Sequence, residues 1–540
     1  MKKHYGKRLV ALVLALVLCL GLAAPAGAVS VSGETGVQIE RIDNSAVTAS
    51  AENQGTELLR ESEIPAYADT DSVRVSIVLE GASTLEKGYS TQGISSNAGA
   101  MAYRSVLRSK QEAMAKTISK EVLNGAKLDV VWNLTLAANL ISANVPYGKI
   151  EAIRALDGIA DVVIENQYQP DVYTVEEDDP NMSTSSSMIG STTAYLDGYY
   201  GAGSRIAIID TGIDTDHQSF DAGAFDYALA QDAEAAGKTV VDYNLLTKKE
   251  IGDKLSLLNI AQNQGVSADS LYGTTKLPFG YNYVDESFDL THDNDTASEH
   301  GSHVAGIAAA NRYIPDGDDY VSALDAVKVQ GVAPDAQILT MKVFGQSGGA
   351  YDSDYMAAIE DAIVLDADTI NLSLGSANPG LSFNRTYQAI LDELANSDTV
   401  VTISSGNNGY WAENAATGGY LYADDVSFQT GGSPGTYTNA LTVASADNVG
   451  LTGVFLRVDG NKIAYNESEY TNVSILTMDK SEDGTGTEYD YIYTTGNGTA
   501  DQLKALTDAG VDLTGKVVFV TRGSTSFADK HMAVSDAGGA

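Results

Sequence analysis

The stretch Glu299-His300-Gly301-Ser302-His303-Val304-Ala305-Gly306-Ile307-Ala308-Ala309 constrains the fold of this chain more than any other. Ser298 before it is a candidate helix cap, and the small apolar residues after His300 suit a helix packed closely inside a core. His300 then stands at the helix start. There the positive end of the backbone dipole disfavours imidazolium and helps keep the ring neutral, as a general base near pH 7 requires. Upstream, Arg205-Ile206-Ala207-Ile208-Ile209-Asp210-Thr211-Gly212 is a short apolar run ending in Asp and Gly, the pattern of a buried parallel strand. It delivers Asp210 to the strand's carboxyl end, where open α/β sheets place their ligands. The pair His300 and His303 also admits a metal reading, since zinc sites use imidazoles one helical turn apart. Zinc proteases of that sort carry Glu beside the first His, whereas Gly301 stands there.

Asp followed by His, each in this local context, resembles the subtilisin-like serine proteases (subtilases), whose triad runs Asp, His, Ser along the chain. Two later stretches extend the resemblance. Thr369-Ile370-Asn371-Leu372-Ser373-Leu374-Gly375 reads as another buried strand. Thr399-Val400-Val401-Thr402-Ile403-Ser404-Ser405-Gly406-Asn407 reads as a strand ending in turn residues. The resemblance implies that Asp210 and His300 are catalytic and that Asn407 receives the oxyanion. It also implies that Ser373, Leu374 and Gly375 form an edge that binds the substrate backbone. A neutral amide suits the oxyanion role because it donates a hydrogen bond without titrating. The implied activity is that of a secreted serine endopeptidase precursor. A non-catalytic peptide-binding module and a zinc hydrolase using His300 and His303 are the alternatives.

The expected fold is α/β, with a doubly wound, mainly parallel sheet. Strands are expected around Ile338 to Val343 and Tyr437 to Ser445, and helices from about Asp352 to Val364 and Phe383 to Ala395. Before this core, strand candidates at Val73 to Leu79 and Ile159 to Ile164 flank a helix near Leu107 to Val122, a β-rich stretch from Leu128 to Val145 and a helix near Tyr147 to Leu156. The order βαββαβ suggests a ferredoxin-like α+β unit. In that position it resembles the inhibitory propeptide of the subtilases, a partner for the groove supplied by the chain itself.

The domain layout follows. Residues 1–28 read as a signal peptide: Lys2, Lys3, Lys7 and Arg8, an apolar run, then Ala26-Gly27-Ala28. Residues 29–70 are a polar, flexible leader, 71–170 the propeptide and 171–188 a linker open to maturation. The catalytic domain is expected over 189–450, with an insertion of about 220–290 carrying a helix near Leu255 to Gln262. Residues 451–540 resemble the start of a β-rich protease-associated domain inserted in the large cell-envelope subtilases.

Composition narrows the partners. The net charge is −39, which repels phosphate backbones and argues against nucleic acid. The single cysteine, Cys19, lies in the signal segment, so the exported chain has no disulfide. No later apolar run is long enough to span a bilayer, which fits a secreted or cell-envelope protein acting on peptides. No cofactor is required. A structural calcium is admitted but not located, since Ser219 stands where the subtilases often have a calcium-binding Asp after the catalytic one. His217 and His292 read as loop residues.

No stretch matches the subtilase serine motif Gly-Thr-Ser-Met-Ala, and the nucleophile is expected beyond residue 540. A polypeptide of these residues alone is therefore expected to be inactive. Removal of this serine in subtilisin costs about 10⁶ in turnover. Treatment with a fluorophosphonate should give no stoichiometric labelling. A labelled serine within residues 1–540 would place the nucleophile inside the sequence.

Overall fold

A computed structural model describes residues 67–170, 182–293, 295, 299–346, 348–375, 385–406, 432–437, 440–446, 455–458, 461–464, 489–494, 496–521 and 527–539. Of the signal and leader expected over residues 1–70, residues 1–66 lie outside the described residues, as do residues 171–181 of the linker, Ser298 and Asn407. From Ala68 onward the chain forms one compact unit.

Its first part is built on β1 (Ser72–Leu79), α1 (Ala98–Glu121), β2 (Asp129–Leu134), β3 (Leu140–Pro146), α2 (Ile150–Arg154) and β4 (Ile159–Ile164). The strands pair antiparallel in the order β2-β3-β1-β4. Alternation explains β1: Val73, Val75, Ile77 and Leu79 point into one core with Ile118 of α1 and Ile150 and Ile153 of α2. Asn97 caps α1 by accepting from the backbone N–H groups of Gly99 and Ala100 at 3.0 and 3.1 Å. A short strand, β5 (Gln169–Pro170), leaves this unit for another sheet.

The second part is a six-stranded sheet of β6 (Arg205–Asp210), β7 (Phe279–Asn282), β8 (Gln337–Lys342), β9 (Thr369–Leu372), β11 (Val400–Ser404) and β12 (Leu441–Val443). All neighbours run parallel, in the order β12-β11-β9-β6-β8-β7. Between β9 and β11 the chain makes the short strand β10 (Leu374–Gly375). Successive residues of β6 serve opposite faces. Ala207 and Ile209 join the large core around α4 (Asp352–Val364), whereas Ile206 and Ile208 pack with Ala305 and Ala309 of α3 (His300–Ala309). Both faces are thus covered, which is why these strands read as continuous apolar runs. The strand order reverses between β6 and β9, so Asp210 emerges beside the switch point.

All 13 residues of α4 are buried, including Asp352, Asp354, Glu360 and Asp361. Each buried carboxylate has donors, as burial requires. Asp354 accepts from Trp132 Nε1 at 2.8 Å, and Asp361 from the Asn259 N–H at 2.6 Å and Tyr283 hydroxyl at 3.1 Å. Glu360 accepts from the backbone N–H groups of Leu136 and Ala137 at 2.7 and 2.8 Å. Asp354 and Glu360 face β2 and its turn and so dock the four-stranded unit on α4.

Several expectations are revised. The helix expected near Leu255 to Gln262 is two 3-10 turns, Leu255–Leu257 and Asn259–Gln262, behind a helix Lys248–Lys254 that Thr247 and Glu250 cap. Asp361 takes the N–H groups of Asn259 and Ile260, which a continuous α-helix would have used internally. A helix not anticipated, Ala222–Ala236, starts at the Asp221 cap and ends at Gly237. Another, Met182–Met188, occupies the end of the segment read as linker. Helix α3 has Glu299 at its N-cap position with no side-chain capping bond. In the C-terminal segment the described residues hold a hairpin, Phe455–Val458 with Asn461–Ala464, and a parallel pair, Tyr491–Tyr493 with Val517–Phe519. A parallel pair needs a crossover, and the helix Ala500–Asp508, capped by Thr499 and not anticipated, supplies it.

Replacing Glu360 by Ala strands the N–H groups of Leu136 and Ala137 and the nearby Arg104 guanidinium, 3.6 Å away. The substitution is expected to lower stability by about 3–5 kcal/mol, and Glu360→Gln by less, because an acceptor oxygen remains. Urea unfolding of the full chain followed by tryptophan fluorescence measures both.

Candidate active site

Strand β6 ends at Asp210, whose carboxylate is fully buried. Its Oδ1 accepts from the Thr211 N–H at 2.7 Å and lies 2.8 Å from His300 Nδ1. Burial in a low-dielectric setting makes this contact stronger than the same pair would be in water. The pairing assigns the imidazole tautomer: hydrogen on Nδ1, lone pair on Nε2. His300 is the first residue of α3, and its side chain is 13% exposed, so the ring is packed yet reachable.

Two glycines allow close packing around the end of β6: Gly301 where α3 meets it, and Gly212 where it meets Leu290. A Cβ on Gly301 would stand 2.1 Å from the Gly212 carbonyl oxygen, and one on Gly212 would stand 2.2 Å from the Leu290 carbonyl oxygen. Gly212 also has φ of +104°, in the region that favours glycine. Thr211 Oγ1 accepts from the Gly301 N–H at 2.8 Å, and Ser302 Oγ from the Asp214 N–H at 2.8 Å, so helix and strand end are also tied by hydrogen bonds. Beneath them the buried Lys342 ammonium donates to the Thr211 carbonyl and to Asp295, both at 2.5 Å. Thr211, Gly212, Gly301 and Lys342 were not legible as site residues, because their part is to position others. The Asp-Thr-Gly run at a strand end was the available signal for the first two.

The partner of His300 differs from what a zinc reading needs. Its Nδ1 faces Asp210, while His303, one turn on, is exposed on the helix surface. Its imidazole is held below the ordinary value by partial desolvation and by the nearby His300. Among the described residues no group of three or more His, Cys, Asp or Glu is arranged to hold a metal. His217 and His292 lie in loops; His217 Nδ1 accepts from the Ser219 N–H at 3.2 Å, and His292 stands 3.4 Å from Glu299.

Ser373, Leu374 and Gly375 follow β9 directly. Ser373 Oγ accepts from Asn371 Nδ2 at 2.9 Å, and Leu374 is fully buried. Leu374 and Gly375 pair antiparallel with Pro170 and Gln169. On the other side of that segment the Tyr168 N–H donates to the Ala350 carbonyl at 2.8 Å, and Gln167 is bridged to Tyr351. Residues 167–170 therefore lie between two backbone edges, 349–351 and 374–375. The 349–351 edge was missed in the sequence, although the glycines from Gly345 to Gly349 before a helix mark a place of close backbone approach. Asn407 lies outside the described residues; the strand leading to it, β11, pairs with β9 as a core strand.

The model of the subtilase family (Peptidase_S8) matches residues 201–533, and the chain belongs to that family. The PII-type proteinase of Lacticaseibacillus paracasei is 31% identical over 350 residues, 63% of this chain and 16% of that one. The minor extracellular protease Vpr of Bacillus subtilis is 28% identical over 377 residues, 68% of this chain and 34% of that one. The C5a peptidase of Streptococcus pyogenes is 26% identical over 350 residues, 63% of this chain and 25% of that one. The chain thus matches only between 16% and 34% of the length of these relatives.

Gly301→Ala is expected to destabilise the protein by about 1–3 kcal/mol through overpacking against backbone. Gly306, on the same helix, meets nothing within 4 Å of its ideal Cβ. Gly306→Ala should be neutral or stabilise by about 0.5–1 kcal/mol. Urea midpoints of the two variants decide whether the Gly212 contact sets the position of α3.

Proposed function

We propose that this chain is the secreted precursor of a serine endopeptidase, acting on protein or peptide substrates. The observation that carries the reading is the 2.8 Å contact of Asp210 with His300 at the carboxyl end of a parallel sheet, in a chain of the subtilase family. In this mechanism His300 Nε2 takes the proton of a serine hydroxyl as the oxygen attacks the scissile carbonyl, then returns it to the leaving amine. Asp210 holds the tautomer and stabilises the imidazolium. Asn407 donates to the oxyanion, a contribution worth about 10²–10³ in turnover where it has been measured, in subtilisin. No cofactor takes part.

Residues 71–170 act in this reading as the intramolecular inhibitor. The antiparallel pairing of Gln169 and Pro170 with Gly375 and Leu374 supports it, because it occupies the edge along which an extended substrate would lie. Maturation then cuts within the following linker and frees the groove. Export through the signal segment supports a secreted or cell-envelope location, as does the name of the extracellular relative.

His300 and His303 test the assignment. In the longest form of the protein that encodes the serine motif, His300→Ala is expected to lower peptide hydrolysis by about 10⁴-fold or more while leaving the fold intact. His303→Ala should keep activity within about tenfold. Equal losses in two folded variants would overturn the assignment. Peptide binding with no hydrolysis in the unmutated protein would mark a binding module instead.

A further inference from the structure

The segment entering the groove contributes more than backbone pairing. Tyr168 is fully buried, and its ring meets that of Tyr355 edge to face, with centroids 5.7 Å apart and planes at 75°. Its hydroxyl donates to Asp352 Oδ1 at 3.0 Å. The Tyr355 hydroxyl donates to the same oxygen at 2.9 Å. Asp352 Oδ2 accepts from the backbone N–H of Asn166 at 2.8 Å and from its side-chain amide at 3.2 Å. Asp352 is the first residue of α4 and is itself fully buried; burial, and then the neighbouring Glu165, push its carboxyl up to about 7.

The supply of donors at this carboxyl is lopsided. Of the four bonds to Asp352 just described, three come from the groove-bound segment and one from the walls. A buried carboxyl is tolerated only when its oxygens are satisfied. Once residues 166–170 leave, the pocket floor is an aromatic slot with a carboxyl that keeps the Tyr355 hydroxyl and must take its other partners from whatever enters. A hydrocarbon ring would fill the slot and leave Oδ1 short of a donor. A phenol would restore both packing and hydrogen bond.

We propose that Asp352 is a specificity-determining residue that selects extended peptides carrying Asn-Xaa-Tyr. The tyrosine hydroxyl binds one carboxyl oxygen and the asparagine amide the other, with backbone pairing to Ala350 and to Leu374–Gly375 fixing the register. This rests on the reading of the groove as the peptide site of a protease. The segment of residues 166–170 is then a copy of the preferred ligand carried in the precursor. Phenylalanine in place of the tyrosine loses a hydrogen bond to a charged or strongly polar buried group, which corresponds to a discrimination of about tenfold to hundredfold.

Two measurements test this. In the full-length precursor, Tyr168→Phe keeps the ring and is expected to raise the hydrogen-exchange rate of the amide that bonds Ala350 by about tenfold. An unchanged rate overturns the proposal. With the matured full-length protein, blocked hexapeptides of the sequence of residues 165–170 and their Tyr-to-Phe and Asn-to-Ala analogues are compared in binding and in hydrolysis. The parent is expected to bind about tenfold or more tightly than either analogue, and Asp352→Leu should abolish or invert the preference for tyrosine over phenylalanine. Equal binding of parent and Phe analogue by the unmutated protein, or no binding of either, overturns the proposal. Hydrolysis without discrimination sinks the specificity alone, whereas a tenfold preference in binding without hydrolysis of any peptide sinks the protease reading and leaves the role of Asp352 standing.

Discussion

The burial of α4 is the constraint on which the rest depends. A helix with all 13 residues out of solvent has to satisfy every polar group it carries, and this one carries four carboxyl groups. Their partners come from three separate parts of the chain: the four-stranded unit through Trp132, Leu136 and Ala137, the insertion through Asn259 and Tyr283, and the groove-bound segment through Asn166 and Tyr168. The acids thus act as addresses. An apolar helix would bury as much surface but would fix the register of its neighbours less sharply, since dispersion contacts are not directional.

Below α4 the sheet carries the chemistry. Two clusters share β6, one on each face, so the strand is clamped and its end is held still. Asp210 and His300 meet there because Gly301 lets the start of α3 come against the Gly212 backbone closer than any side chain would allow. Rigid support of this kind is what a proton-transfer pair needs, because its rate depends on a hydrogen bond held at one length and direction. The N-terminal unit meets the core through apolar side chains, with Ile94, Trp132, Leu134 and Leu136 in the same buried cluster as Tyr355, Met356 and Ile359, and through polar contacts and a short strand pairing.

Much of the site could be read in the sequence. Asp210 and His300 were legible because each sits at a local signal, an apolar run ending in Asp-Thr-Gly and a small-residue helix opening with His. The strand ending at Leu372 was legible as an apolar run, whereas the edge Ser373 to Gly375 was expected only from the family resemblance. The turns at Leu255 to Gln262 were misread as one helix because spacing alone cannot show that Asp361, 101 and 102 positions away in the chain, captures the N–H groups of Ile260 and Asn259. The helix Ala222–Ala236 was missed although Asp221 and Gly237 mark its ends, since alanines give little apolar period.

By itself the sequence determined the class of chain, the core strands and the Asp210–His300 pair of the candidate site, because periodicity and motif are properties of neighbours in the chain. Only the tertiary structure decided what those elements bury. It put Asp352, Asp354, Glu360 and Asp361 inside rather than on a solvated helix face, brought Gly301 against Gly212, and laid residues 167–170 between two edges more than 170 positions further along. These are contacts between distant segments, and their energies arise from desolvation and directional hydrogen bonding that exist only once the segments have met.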